Sequence, residues 1–544
     1  MRLSTTTQVL LACLPVVVLA AIAVWFVFPV ADDAWLTLLI KEAGHDAIRP
    51  VLQHRPVFAA ILSLMSTSIP AYLSSGLVLN VLIWLLMALE TASLWKWLNP
   101  ANPEYGAAAG LLAVSPVITL TQLTTYTVTV PINVTIVLGY AAFFMLAAPE
   151  RYSLGAFRMR LGCAMAAIAF ATVLSEYAFA TAAIACVFFL YKWSDVTWPR
   201  RGRHIASIAA ISGGWLVGTA VFRLTADLST IPGNTYGGTV EILANQWKEI
   251  LFLIVNAFWR SLFGAIFTAG SAVRFTWFEK STLASVAFGG LYAVTLCLLV
   301  RVPRSQRSAA AVVRSDWLRW CWYFAALGAG LLPVVLRSPS VGTVGADRHI
   351  EDFGTRMYLT AAPLAACISI AIFTRLTRQR YHWVVLGMVG FICGHAAFLH
   401  AWSIYSDRRS IDAIGSLVNA YIDTVPGLTV VVTSEYLGRD YEVTYWATKG
   451  WPRDRSRKAW FVWEGKLENR LGHPADRTGN CARITDLHIE VTGIHRTGSI
   501  SQILYVDGTG AGPAVEPYCV GLASMSHAPP VARGAPSVNS ESLK

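Results

Sequence analysis

Hydrophobic runs of helical spanning length recur along the first 400 residues. A hydrocarbon core of about 30 Å needs roughly 20 apolar residues of helix. Runs of that kind fall near 8–30, 71–95, 105–122, 131–148, 205–222, 281–300, 320–336, 357–373 and 383–401. Two further segments decide the parity of the rest. Residues 161–191 hold a single acid, Glu176, near their midpoint. One helix of that length would reach about 46 Å at ~1.5 Å per residue, and both flanks are basic, so the pattern predicts a short hairpin with Glu176 near its outer apex. Residues 250–273 are apolar except for Arg260 and read as a re-entrant or interface-lying helix. The sum is eleven spans, with the N-terminus inside and the C-terminus outside.

Past Trp402 the period changes. Residues 410–424 have amphipathic helix spacing, and the stretches VPGLTVVVTSEY, DYEVTYWATKGW, KAWFVWEG, RITDLHIEVTG and SISQILYVDG alternate as short strands between Gly, Pro and Asp turns. The division is thus a multi-span domain over 1–401, a small α+β or β-rich extracytoplasmic domain over 402–525, and a disordered tail over 526–544. Cys481 and Cys519, the two cysteines after the last span, are predicted to be accessible from outside or joined as a disulfide.

Composition fits the pattern and narrows the class. The 544 residues are 55% hydrophobic and only 14% charged, which excludes an ordinary water-soluble chain. The net charge of +11 is concentrated in short loops. Arg151, Arg158 and Arg160; Lys192, Arg200, Arg201 and Arg203; Arg301 to Arg319; and Arg375, Arg378 and Arg380 mark four cytoplasmic loops under the positive-inside rule, so no nucleic-acid partner is needed. Ala21 and Ala23 have the spacing of a signal-peptide cleavage site, but the first run is long enough to span and many more follow. No CxxC pair or His/Cys ligand spacing supports zinc. The expected location is a bacterial-type inner membrane.

Polar chemistry gathers in the predicted outer loops. The first, in FPVADDAWLTLLIKEAGHDAIRPVLQHRP, holds Asp32 and Asp33 and then His54 and Arg55. Asp33 stands where an N-cap belongs, leaving Asp32 the freer carboxylate. A carboxylate at the edge of a low-dielectric cavity can take a proton from a hydroxyl. The plainer readings are a capped, solvated helix start for the acids and a snorkelling anchor for Arg55. The loop 338–359, SPSVGTVGADRHIEDFGTRMYL, adds Arg348, His349 and Arg356, suited to holding a phosphate or to forming a solvated, internally paired turn. Glu176 is an intramembrane acid and so a functional candidate. Arg260 apart, nearly all of the remaining charges are read as lying at loop level. Asn133-Val-Thr matches a glycosylation pattern but falls inside an apolar run and carries no weight.

A first span ending in ADDAW, a return through HRP, an acid in SEYAFA, an arginine in DFGTRMYL before a late span, and a soluble C-terminal part together resemble the GT-C superfamily of membrane glycosyltransferases. The resemblance covers roughly residues 1–401 and identifies no subfamily. It implies a sugar moved, with inversion, from a polyprenyl-phosphate donor to an extracytoplasmic glycan, lipid or protein acceptor. Asp32 or Asp33 matches the catalytic acid, and Arg356 matches a phosphate-contacting arginine. No cofactor follows; a divalent metal is left open, with no closed carboxylate cage in view. The alternative is a transporter or flippase for a lipid-linked or amphipathic substrate, which calls for polar groups at midplane depth in several helices.

Overall fold

The structure, a computed structural model, describes residues 4–25, 45–52, 55–100, 102–123, 129–175, 177–195, 198–226, 280–300, 316–337, 349–376, 381–398 and 401, with strand segments at 428–436, 439–446, 460–464, 489–492 and 497–507. Up to residue 401 the described chain is almost entirely helical. Its helices are α1 (Thr5–Trp25), α2 (Ile48–Val51), α3 (Pro56–Met65), α4 (Ile69–Leu98), α5 (Gly106–Leu123), α6 (Thr129–Leu146), α7 (Leu154–Leu174), α8 (Ala178–Asp195), α9 (Trp198–Thr225), α10 (Lys280–Leu299), α11 (Asp316–Arg337), α12 (His349–Leu376) and α13 (His382–Phe398).

Four stretches among the described residues, Thr5–Ile22, Ser74–Leu98, Leu154–Leu174 and Arg201–Thr225, are long and apolar enough to cross a membrane. By that measure the described helices give four spans where the sequence predicts eleven. Shorter apolar helices include Val130–Leu146, Ala178–Trp193, Leu283–Leu299, Thr360–Arg375 and His382–Phe398. The bundle shows apolar side chains outward: Leu82, Leu216, Leu291, Leu298 and Met388 are all more than half exposed. An apolar exterior on this scale is what a lipid-facing surface requires.

Side-chain contacts fix the direction of each long helix. Trp97, near the end of α4, donates to the Ala147 carbonyl just past α6 (3.2 Å), and its ring meets Phe143 of α6 and Phe188 of α8 at 5.1 and 5.4 Å. Lys192, near the end of α8, lies 5.1 Å over the same ring. Arg203, in the second turn of α9, donates to the Pro149 and Tyr152 carbonyls (2.7 and 2.8 Å) that precede α7. At the start of α11, Arg319 donates to Asn99 Oδ1 (3.3 Å) and Tyr323 to the Leu98 carbonyl (3.1 Å). Arg375, in the last turn of α12, lies 5.1 Å over Trp320. Tyr105 Oη and His382 Nδ1, 2.5 Å apart, tie the start of α5 to that of α13. Cys297 Sγ donates to the Trp383 carbonyl, and Gln8 Nε2 to the Leu299 carbonyl (3.3 and 3.0 Å), which adds the end of α10 and the start of α1.

The starts of α1, α5, α7, α9, α11 and α13 and the ends of α4, α6, α8, α10 and α12 therefore share one end of the bundle. This basic end carries Lys96, Arg151, Arg158, Arg160, Lys192, Arg200, Arg201, Arg203, Arg319 and Arg375 against Glu104, Glu150, Asp195 and Asp316. The exposed aromatics Trp317, Tyr381 and Trp383 lie at this end on the starts of α11 and α13, a level interfacial aromatics favour. The long helices alternate in direction. α9 ends and α10 begins at the opposite end. The 250–273 segment falls between them and lies outside the described residues.

The 161–191 run is indeed divided. Ser175 ends α7 in an extended conformation (φ −160°, ψ 140°), and the Ala178 amide donates to the Ser175 carbonyl (3.1 Å) as α8 begins. The predicted short hairpin is corrected in length: its legs have 21 and 18 residues, each about the thickness of a hydrocarbon core at ~1.5 Å per residue. The hydropathy window missed the first turns of α7 because Arg158 and Arg160 lie in them. The loop predicted over 338–359 is corrected in the same way, since α12 already begins at His349.

Close seams depend on small residues. A Cβ on Gly110 of α5 would come within 2.8 Å of the Ala88 carbonyl of α4, and one on Gly218 of α9 within 2.5 Å of the Ala169 carbonyl of α7. Backbone approach of this kind is how helices associate where lipid removes the hydrophobic drive between them. Trp84, Trp95, Phe143, Phe188 and Phe189 fill the interior.

Five strands, β1 (Leu428–Tyr436), β2 (Arg439–Trp446), β3 (Trp460–Glu464), β4 (Ile489–Thr492) and β5 (Thr497–Asp507), pair antiparallel in the order β3-β2-β1-β5-β4. Residues 410–424, Cys481, Cys519 and 526–544 lie outside the described residues.

Candidate functional site

The connectors that carry the predicted site residues attach at the end of the bundle opposite the basic end. Asp32 and Asp33 fall between α1 and α2, Glu176 between α7 and α8, and Arg348 between α11 and α12. Asp32, Asp33, His54, Glu176 and Arg348 themselves lie outside the described residues. The flanking helix ends place their attachment points at one level of the bundle.

Arg55 is described. It occupies the N-cap of α3 with φ −140° and ψ 65°, its carbonyl accepting from the Ala59 amide (2.8 Å) and its own amide donating to Leu52 (2.8 Å). Pro56 follows at the first helical position, where a missing N–H costs nothing and the fixed φ starts the helix. The half-buried guanidinium lies 5.7 Å over the Phe58 ring. Arg55 is thus anchored on an aromatic at the mouth of the bundle.

His349 and Arg356 are set on the first two turns of α12 rather than in a loop. Their backbone positions, with 352 between them, follow i, i+3, i+7 spacing and so share one helical face. A helical platform holds such positions more rigidly than a loop would.

Beneath these connectors lies a floor the sequence reading did not anticipate. Ile48, Phe58, Leu62, Met65, Ile83 and Val130 form a buried cluster that seats α2 and α3 on α4 and α6. Next to it, Asn133 Nδ2 of α6 donates to Asn80 Oδ1 of α4 at 3.1 Å, both residues fully buried. Thr135 Oγ1 donates to the Pro131 carbonyl (2.9 Å) and lies within bonding distance of the Ala171 carbonyl of α7 (3.3 Å). Thr172, Ser175 and Thr181 are buried at the same end. Asn133 Oδ1 has no hydrogen-bond partner among the described residues. Asn133 donates inside the bundle, which closes the glycosylation reading. The signal was present as polar residues at 80, 133, 135, 172, 175 and 181, each inside an apolar run whose mean hydropathy hides it.

A second acid was also missed. Glu90 lies on α4 eight residues before Leu98, about 12 Å from the basic end at ~1.5 Å per residue. Its Oε2 is buried without a hydrogen-bond partner among the described residues. Glu90 is thus an exception to the expectation that nearly all charges other than Glu176 and Arg260 sit at loop level.

No group of three or more His, Cys, Asp or Glu among the described residues is arranged to hold a metal ion. The seven described cysteines are free. No family model, curated protein or solved structure matches the chain.

Proposed function

We propose that the chain is a polytopic membrane glycosyltransferase of the GT-C type, with eleven crossings (α1 and α4 to α13), the basic end cytoplasmic and the C-terminal domain extracytoplasmic. The observation that carries this reading is topological. The connectors bearing Asp32, Asp33, Glu176 and Arg348, together with the helical starts bearing Arg55, His349 and Arg356, all attach at the end remote from the basic rim. The positive-inside rule makes that the outer end. A polyprenyl-phosphate sugar held in the bilayer presents its phosphate at this level.

In the proposed reaction Asp32 accepts the proton of an acceptor hydroxyl as its oxygen bonds to the anomeric carbon. The bond from that carbon to the phosphate oxygen breaks, and the electron pair leaves with the polyprenyl phosphate. Arg356, Arg348, His349, His54 and Arg55 supply the cations that hold the departing phosphate. Asp33 keeps the N-cap role that the sequence reading assigns it, and Glu176 takes a sugar hydroxyl. Acceptor identity, whether glycan, lipid or protein, is set by the same end of the molecule. No step is routed through a metal.

The transporter reading keeps one observation in its favour: Glu90 and the Asn80–Asn133 pair lie inside the bundle rather than at its ends. The two readings separate in one assay. With a synthetic polyprenyl-phosphate sugar and a membrane extract as acceptor, Asp32→Asn abolishes transfer while expression and folding persist. Full transfer in Asp32→Asn removes Asp32 from the mechanism, and substrate movement across vesicles without transfer supports the transporter.

A further inference from the structure

Glu90 stands in the membrane-spanning part of α4 without a counter-charge. The exposed Lys96 marks the level of the basic end, and Glu90 lies six residues deeper, about 9 Å at ~1.5 Å per residue. Side chains on a helix lean toward its N-terminus, here the outer end, so the carboxyl leans away from the water at the basic end. The hydroxyls around it are already spent. Thr91 donates to the Met87 carbonyl (2.7 Å) and Ser93 to the Leu89 carbonyl (2.8 Å). Tyr140 of α6, near enough to feel the charge of Glu90, donates to the Thr360 carbonyl (3.2 Å). The ion pairs among the described residues, His45–Asp46 and His204–Glu150, do not include Glu90. Outward, the same residue borders an apolar face. Val78, Leu82 and Leu86 are 58%, 53% and 48% exposed and precede Glu90 in four-residue steps, and exposed Ser93 follows three residues on. Residues at that spacing form one row on a helix, and Glu90, itself partly exposed, lies at its edge.

We propose that this outward row of α4 is a docking face for a partner membrane helix, with Glu90 pairing with a Lys or Arg inside the partner's span. Charge selects the occupant. A carboxyl inside the hydrocarbon is costly unless it is paired, and the described interior offers it neither a cation nor a spare donor. A cationic lipid headgroup stays at the interface, whereas a basic side chain on a spanning helix reaches the depth of Glu90. A second copy of this chain would set acid against acid across the same row. The partner's basic residue is therefore placed about six residues inside the level of the basic end. The face involves none of the connectors of the proposed transfer centre and does not depend on that reaction.

The test uses the full chain in phosphatidylcholine vesicles and two synthetic transmembrane peptides of Leu and Ala, one with a single Lys at that depth and one with Leu in its place. Association is read by energy transfer between labelled chain and labelled peptide. The Lys peptide is expected to bind about tenfold more tightly than the Leu peptide, the scale of a polar contact between helices in lipid. Glu90→Gln is expected to remove that advantage and Glu90→Asp to keep part of it. Equal binding of the two peptides to the unmodified chain, which needs no variant to fold, overturns the proposal. So does a Lys advantage that survives Glu90→Gln, or energy transfer between two copies of the chain that Glu90→Gln abolishes.

Discussion

The two ends of the bundle use charge differently. At the basic end several of the described cations tie the bundle together: Arg203 spans two carbonyls, Arg319 reaches Asn99, Lys192 lies on Trp97 and Arg375 on Trp320. Each contact joins two helices, so this end reads as architecture and orientation. At the opposite end the buried polar side chains among the described residues are mostly uncharged amides and hydroxyls, in the part of the bundle where the connectors with the candidate acids and cations attach, and Asp46, Arg49 and Arg223 are exposed. Charge that holds helices together lies at one end, and the charges of the proposed site belong to the other.

That contrast predicts that substitutions separate by end. The largest effect belongs to Asp32→Asn, expected to lower transfer by about 10²–10⁴-fold with an unchanged melting profile, as loss of a general base does. A fall in stability of the same variant would instead make Asp32 a structural cap. Next, Arg356→Gln is expected to reduce the transfer rate about 10²-fold, by removing one phosphate-stabilising donor, with folding preserved. If its rate matches the parent chain, the start of α12 has no part in the site.

The basic end is expected to behave in reverse. Arg203→Gln strands the Pro149 and Tyr152 carbonyls and costs about 2 kcal/mol of stability, read as a lowered midpoint of unfolding in detergent, while transfer per folded molecule is kept. Loss of transfer in a fully folded Arg203→Gln chain blurs the division between the ends. The smallest effect is that of Asn133→Ala, about 1 kcal/mol, because interhelical hydrogen bonds within a membrane are modest. A shift several times larger makes the Asn80–Asn133 pair a keystone of the outer floor.

The long helices were legible because a spanning helix must be apolar along most of its length, and the basic loops announced their own side. Helix limits were less legible. α7, α9 and α12 begin among Arg158, Arg201 and Arg356, where hydropathy has already fallen but helical hydrogen bonding continues. Glu90 escaped notice because one acid scarcely lowers the mean of a 30-residue helix, and Asn80 and Asn133 are diluted likewise. Pairing between helices is set by three-dimensional neighbours, and no local window contains it. For the candidate site, the sequence located the residues on connectors, and helix direction brought those connectors to one end.

The most direct test of the account is the sidedness of the connectors. In a chain whose native cysteines are replaced by serine, single cysteines at Ala31 and Ser340 report the proposed outer end, and those at Arg158 and Ser305 the basic end. Labelling of intact cells with a membrane-impermeant thiol reagent is expected to reach 31 and 340 and to reach 158 and 305 only after the membrane is opened. Labelling of 31 and 340 from opposite sides would contradict the shared outer site on which the proposed function rests.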